Sequence, residues 1–119
     1  MSYPILTSPA DDKERLMADV VRVLSLASGK LWEAELYGEV GAFRQTLDRS
    51  SDFSTKDLSN AMKALESSRM ITAEKRISAT SGERRPDVLV GLITTEPLQK
   101  LLVLDPDIRK YREISSSLT

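Results

Sequence analysis

Cysteine and histidine are both absent from this chain of 119 residues. Without cysteine there can be no disulfide and no thiolate metal site. Without histidine, the Ser-His and Cys-His pairs of nucleophilic catalysis and the usual general base are excluded. The remaining groups that could take part in catalysis are carboxylates, lysines, tyrosines and hydroxyls. The carboxylates are scattered along the predicted helices, a pattern typical of solvent-exposed helix faces. The sequence therefore predicts a protein that is not an enzyme and needs no cofactor.

Aromatic residues and long apolar runs are also scarce. Aromatics make up 5% of the chain and charged residues 29%, a composition typical of helical soluble proteins. No apolar run approaches the roughly 20 residues that a membrane span needs. The first residues, Met1 to Ile5, lack the basic start and apolar core of a signal peptide. We expect a cytoplasmic protein with no membrane contact, folded around a single core.

Charge is unevenly distributed along the chain, although the net charge is only −1. Residues 1–53 carry 6 Lys or Arg against 9 Asp or Glu, whereas residues 54–93 carry 7 against 5. Residues 94–119 are balanced, with 4 of each sign. The positive charge is thus concentrated in the middle of the chain, which is the weak form of the electrostatic footprint that nucleic-acid binders show.

Three helices are predicted in the first half of the chain. Ser8 and Pro9 are suited to the N-cap and first position of a helix that ends near Gly29. A second helix is expected from Leu31 to Asp48, on an apolar stripe at helical spacing. Its members are Trp32, Leu36, Val40, Phe43 and Leu47. Gly38 and Gly41 interrupt this helix, and close packing against another helix is the favoured reason for their presence.

The third helix has the strongest local signals. Ser54 and Asp57 are spaced as a capping box, and Phe53 and Leu58 as a hydrophobic staple. Four residues then form an apolar face at helical spacing: Leu58, Ala61, Met62 and Leu65. The opposite face carries Lys56, Ser59, Asn60, Lys63 and Ser67.

After the third helix the apolar period changes from helical to alternating, which predicts an antiparallel hairpin. A first strand begins at Ile71, and a β-branched second strand covers Val88 to Ile93. The polar stretch between them contains Gly82, Arg84 and Arg85, and it is too long for a tight turn. Two further helices follow, the second of them started by Asp105-Pro106.

This order resembles the winged helix-turn-helix superfamily, and its local motifs resemble those of MarR-like and PadR-like transcriptional regulators. The motifs are Ala64-Leu65-Glu66, Met70-Ile71, the pair Arg84-Arg85 and Leu92-Ile93-Thr94. The family commonly has glycine where this chain has Arg69, and a tyrosine in the second wing strand that is missing here. The resemblance implies a mainly α fold with a small antiparallel β-hairpin: a three-helix core, a wing and C-terminal helices.

Four segments follow from the resemblance. Residues 1–7 would be an N-terminal arm and residues 8–95 the winged-helix domain. Residues 96–114 would form a C-terminal helical extension, and residues 115–119 a tail.

The resemblance implies binding of double-stranded DNA, with the third helix in the major groove and the wing on the backbone or in the minor groove. The implied DNA-binding residues are Thr55, Lys56, Ser59, Asn60, Lys63, Arg84 and Arg85. Asparagine can pair with adenine through two hydrogen bonds, and serine or lysine can reach base edges or phosphates. The expected function is transcriptional regulation.

A homodimer is the second expectation, because such regulators bind two half-sites about a two-fold axis. The expected interface consists of Leu98, Leu101, Leu102 and Leu104, joined by the segment Tyr3 to Leu6. These leucines could instead cover the core of their own chain.

Two other functions stay open at this stage. The near-neutral charge also suits a winged helix that binds a protein partner within a larger complex, with little or no DNA binding. Trp32, Tyr37 and Phe43 could line a small pocket for an effector, although Trp32 and Phe43 are better suited to the core.

Overall fold

A computed structural model describes residues 3–78 and 85–117, and these residues form a mainly helical fold with one small antiparallel sheet. The helices are α1 (Pro4–Thr7), α2 (Asp12–Leu26), α3 (Glu33–Thr46), α4 (Thr55–Ser67), α5 (Glu96–Leu104) and α6 (Pro106–Ser117). The strands are β1 (Lys30–Trp32), β2 (Ile71–Ser78) and β3 (Arg85–Leu92). The predicted mainly α fold with a small antiparallel hairpin is confirmed in this outline.

The sheet has the strand order β1-β3-β2, with both neighbours antiparallel. β2 pairs with β3 over its whole length, from Ile71 opposite Leu92 to Ser78 opposite Arg85. β3 therefore begins earlier than the predicted Val88. Ile71 and Val90 are buried on the core side of the sheet, and Leu31, Val88 and Leu92 pack against the core while partly exposed. β2 is exposed from Thr72 to Ile77, so this part of the hairpin extends past the core.

β1 is a strand that the sequence reading assigned to the second helix. Lys30 to Trp32 pair with Gly91 to Leu89 of β3, and α3 begins only at Glu33. Trp32 consequently lies half-buried in the sheet and does not belong to the helical stripe. Gly91 is required by this pairing, because a Cβ there would lie 2.9 Å from the Thr72 hydroxyl oxygen beneath the Lys30 side chain.

The start of α2 also differs from the prediction. Asp11 is the N-cap, and its side chain accepts a hydrogen bond from the Glu14 amide at 2.9 Å. Ser8 ends the short helix α1, so the chain turns between the two helices and Pro9 lies outside both. The Glu14 carboxylate in turn accepts from the amide of Ala10, the residue before the cap, at 3.1 Å.

The glycines of α3 do not serve close packing within this chain. A Cβ added at Gly38 or at Gly41 would meet nothing within 4 Å. Both residues lie on the outer side of α3, whereas Leu36, Val40 and Phe43 form its buried side. The predicted reason for the two glycines is therefore wrong.

The start of α4 matches the prediction closely. Ser54 accepts from the Asp57 amide at 3.0 Å, and the Asp57 carboxylate accepts from the Ser54 amide at 2.9 Å. Phe53 and Leu58, the staple pair, are both buried. The capping box and the staple together fix both the axial position and the entry angle of this helix.

Three helices end in a left-handed residue that is not glycine: Ser28 after α2, Asp48 after α3 and Arg69 after α4. At Arg69, with φ of 59°, the hydrogen bonds complete a Schellman motif. The Met70 amide donates to the Leu65 carbonyl at 2.9 Å and the Arg69 amide to the Glu66 carbonyl at 3.0 Å. Arg69 thus occupies the position that favours glycine in helix C-caps.

The C-terminal helices belong to the core. Leu98, Leu102 and Ile108 are buried, and Phe43 of α3 stacks near Tyr111 of α6 with ring centroids 5.3 Å apart. α6 continues through Ser117, beyond the predicted end of the helical extension at residue 114. At the other end of the chain, Tyr3, Ile5 and Leu6 of the predicted arm are also buried in this core.

A buried ionic network fixes α6 to α2 and α3, and the sequence reading missed it. Arg22, which is 7% exposed, donates from Nε to Asp105 Oδ2 at 3.0 Å and from Nη1 to Asp19 Oδ1 at 2.8 Å. Arg44 Nε binds the other Asp19 oxygen at 2.7 Å. Burial acts to lower the pKa of Arg22, but the attraction of Asp105 and Asp19 outweighs it, so the pKa is raised above its usual value.

Candidate nucleic-acid interface

The exposed side of α4 holds five of the residues that the sequence predicts to contact DNA: Thr55, Lys56, Ser59, Asn60 and Lys63. All five are exposed, opposite the buried face of Leu58, Ala61, Met62 and Leu65. None of the five side chains forms a hydrogen bond or a salt bridge within the described parts of the chain. Their polar atoms are therefore available to a ligand.

The N-terminus of α4 is already neutralised from within the chain. The Asp57 carboxylate lies there, and hydrogen bonds from Ser54 lower its pKa below the usual value, so it is ionised at neutral pH. A phosphate placed at this helix end would meet that charge. The cations of the exposed side, Lys56 and Lys63, are the better phosphate contacts, and Glu66 at the end of the helix reduces the local positive charge.

The β2–β3 hairpin follows α4 in the sequence, and residues 79–84 between its strands lie outside the described ranges. Arg84 lies outside the described residues, and for Arg85 the backbone is described at the start of β3 but the side chain is not. On β2, Arg76 is held by Glu74, with Nη2 and Oε2 2.7 Å apart. Lys75 is exposed beside it.

A groove of about 690 Å³ borders the exposed side of α4 at Asn60. Its walls come from α2, from the end of α3 and from the loop before α4, and its charged residues are Asp12, Lys13, Arg15, Asp19, Arg44, Arg49, Asp52 and Asp57. Three of the four cations are paired: Arg15 with Asp12 at 2.9 Å, Arg44 with Asp19 at 2.7 Å and Arg49 with Asp107 at 2.7 Å. The groove is consequently close to neutral. Lys13 and Arg15, which the sequence reading did not select, are cations on the same side as Asn60.

Tyr37 and Phe53 support the turn before α4, and Phe53 also lines the groove. The Tyr37 hydroxyl donates to the Phe53 carbonyl at 2.9 Å, and the two rings lie 5.0 Å apart. The Arg44 guanidinium lies over the Phe53 ring at 5.2 Å. Phe43 is in the core and Trp32 in β1, so the trio predicted as a possible pocket is dispersed.

The leucines expected to form a dimer interface divide into two groups. Leu98 and Leu102 are buried in the core of their own chain, which is the alternative that the sequence left open. Leu101 is half-buried. Leu104 is 68% exposed and its neighbour Val103 is 70% exposed, so two adjacent apolar side chains lie on the surface at the end of α5.

Among the described residues, no group of three acidic, histidine or cysteine side chains is arranged to hold a metal ion. None of the helices in the described ranges is both long enough and apolar enough to cross a membrane.

Comparison of the chain with models of protein families, with curated proteins and with solved structures finds no match in any of the three.

Proposed function

We propose that this chain is a winged helix-turn-helix protein that binds double-stranded DNA and regulates transcription. In this proposal α2, α3 and α4 form the three-helix core, α4 enters the major groove, and the β2–β3 hairpin is the wing. The observation that carries the proposal is the exposed polar side of α4, whose side chains have no partners in the described chain. The capping box and the staple hold that helix rigidly on the core, which is what a recognition helix needs.

The side chains on α4 suit the edges of base pairs. The major groove is about 12 Å wide and admits one α-helix. Asn60, in the middle of the exposed side, can bind the N6 and N7 atoms of adenine, and Ser59 can donate to or accept from neighbouring bases. Lys56 and Lys63 lie on either side of these residues along the helix, where phosphates border the groove.

The cations available to DNA are few. Lys56, Lys63 and Lys75, with Arg84 and Arg85 of the wing, would neutralise about five phosphates, which corresponds to a slope of roughly −4.5 in log K against log salt for B-DNA. Glu66 and Asp57 lie close to the same surface. We therefore expect binding that weakens steeply between low and physiological salt.

Homodimer formation is part of the proposal, since two half-sites about one turn apart require a two-fold arrangement. Because Leu98 and Leu102 are buried in cis, the contact is assigned to the surface that includes Leu104 and Val103.

The test is fluorescence anisotropy of a labelled duplex pool of random sequence, titrated with protein at several salt concentrations. The proposal expects micromolar or tighter binding at low salt. Changing Arg84 and Arg85 to glutamate should weaken binding and reduce the magnitude of the salt slope by about 2. The matched control changes Arg109 and Arg112 of α6 to glutamate, which alters the net charge equally. Absence of binding at the lowest salt would refute the proposal. Equal losses of affinity in the two glutamate variants would show that the wing does not contact DNA.

A second candidate is a winged-helix module that binds a protein partner within a larger complex and has little or no affinity for DNA. The exposed Val103 and Leu104 favour it. These adjacent apolar side chains are 70% and 68% exposed, and burying them against a partner would be favourable because it removes apolar surface from water. This candidate predicts undetectable duplex binding together with loss of partner association when both residues are changed to serine. A defined complex with DNA at physiological salt would count against it.

A further inference from the structure

Both outer edges of the β2–β3 hairpin lack a paired strand over part of their length. On one side β1 ends at Trp32, opposite Leu89, and in the described parts of the chain no strand pairs on that side with β3 from Arg85 to Val88. On the other side β2 is the outermost strand of the sheet. Exposed edges of this kind are templates for pairing with another chain.

Hydrogen bonds at the end of β3 establish which backbone groups face each edge. The Leu92 amide donates to Gly29 on the β1 side at 2.7 Å, and the Ile93 amide donates to Met70 on the β2 side at 2.9 Å. Directions alternate along an antiparallel strand. The backbone groups of Val90, Val88 and Pro86 therefore face the β1 side, where β1 is present only for Val90.

Neither residue on the free part of this edge can donate to an added strand. Pro86 has no N–H, and proline in a strand is tolerated where that position faces solvent. The Val88 amide donates to Oδ1 of Asp87 at 2.7 Å, so its hydrogen is already bound. On this part of β3, therefore, no outward-facing backbone N–H is left to donate to an added strand.

On the edge of β2, charge disfavours one register of pairing. By the same alternation, the backbone groups of Ala73, Lys75 and Ile77 face away from β3. If two copies paired antiparallel through this edge, these odd-numbered positions would have to face one another. Every such register has one residue at its two-fold centre, lying opposite its own copy. The registers with the greatest overlap are centred on Glu74 and on Lys75. The first places two Glu74 carboxylates opposite each other, which is unfavourable. The second places two Lys75 ammonium groups opposite each other but also places Glu74 opposite Arg76 of the copy, so charge disfavours the Glu74-centred register alone.

We infer that Pro86 and Asp87 on β3 keep that edge of the hairpin from pairing with a second copy of this chain, and that Glu74 on β2 disfavours the register centred on itself. The two devices are independent of each other, since one removes backbone donors and the other places like charges in contact. They would protect the hairpin whatever ligand it binds.

The first test opens the β3 edge by changing Pro86 to threonine and Asp87 to alanine. Sedimentation velocity over a range of protein concentrations should show a shift to heavier species than the wild type forms. Infrared spectra should show a new band from intermolecular antiparallel strands. A variant that keeps the wild-type circular dichroism spectrum and sediments as the wild type at every concentration would overturn the inference for this edge.

A single change at Asp87 tests the hydrogen bond even if the double variant fails to fold. Asp87→Ala should accelerate amide hydrogen exchange of Val88 roughly 2- to 10-fold, the fold-change that corresponds to the net worth of one hydrogen bond. Asp87→Asn keeps the acceptor oxygen and is the matched control, with exchange close to that of the wild type. Equal exchange rates in Asp87→Ala and the wild type would show that the amide is not protected in this way.

The second test concerns the β2 edge. Changing Glu74 to threonine removes the contact between the two Glu74 carboxylates and raises strand propensity, so concentration-dependent association should appear. The matched control is Glu74→Lys, which keeps a like charge opposite its own copy. If the control associates as strongly as the threonine variant, charge is not the protecting feature.

Discussion

Replacing Arg69 by glycine should stabilise the protein, although it removes a side chain. Arg69 is exposed and has φ of 59°, a left-handed conformation that costs a residue with a Cβ about 1–2 kcal/mol. Glycine avoids that cost but gains freedom in the unfolded chain, which offsets about 0.5–1 kcal/mol. The expected net gain is therefore about 0.5–1 kcal/mol, because both hydrogen bonds of the Schellman motif involve backbone atoms and are retained.

Urea unfolding followed by circular dichroism measures this change. The midpoint should rise for Arg69→Gly with an unchanged slope, which identifies a change in stability and not in the compactness of the unfolded state. Arg69→Ala is the matched control, since it removes the guanidinium and keeps the Cβ, and it should give no comparable gain. Ser68→Gly, at φ of −83°, should destabilise. The reasoning is refuted if Arg69→Gly is no more stable than Arg69→Ala.

Four other changes test the structure by the same unfolding assay. Arg22→Met should cost about 3–5 kcal/mol, because it leaves Asp19 buried without one of its partners; a loss under about 1 kcal/mol would mean that the network is solvated. Gly38→Ala should stabilise by up to about 1 kcal/mol, since its Cβ enters open space on α3, and a destabilised variant would reveal a contact there. Ser54→Ala should cost about 1 kcal/mol through loss of the cap, whereas Ser54→Asp should retain most of the stability. The pKa of Asp57 is lowered in the folded state. Its contribution to the free energy of unfolding is therefore fully present above the pKa of the unfolded chain, and it is lost as the pH falls through the pKa of the folded protein. Asp57→Asn should consequently be less stable than the wild type at neutral pH and equal to it in strong acid.

Features with local causes were predictable from the sequence. The start of α4 depends on Ser54, Phe53, Asp57 and Leu58, which lie within a few residues of one another, and it was predicted with its caps. The alternation after Ile71 gave the first strand of the hairpin for the same reason.

Features with distant causes were not predictable in this way. β1 consists of three residues and is stabilised by the edge of β3, far along the chain. Its tryptophan fits a helical stripe equally well. Asp19 and Arg22 follow each other at ordinary helical spacing, and their partner Asp105 lies far along the chain, where the sequence indicates only a helix cap. On the candidate interface, the sequence identified the exposed side of α4 but not the groove that borders it, whose walls come from three separate segments.

The ionic network has a consequence for any shortened form of this protein. A chain that stops at Leu104 would lack Asp105 and would also leave Phe43 without the Tyr111 ring. Arg22 would then retain only Asp19 and the Leu6 carbonyl inside a core that had lost Ile108. Residues 105–117 therefore stabilise the packing of the helices at the start of the chain. We expect a polypeptide without them to populate partly unfolded states.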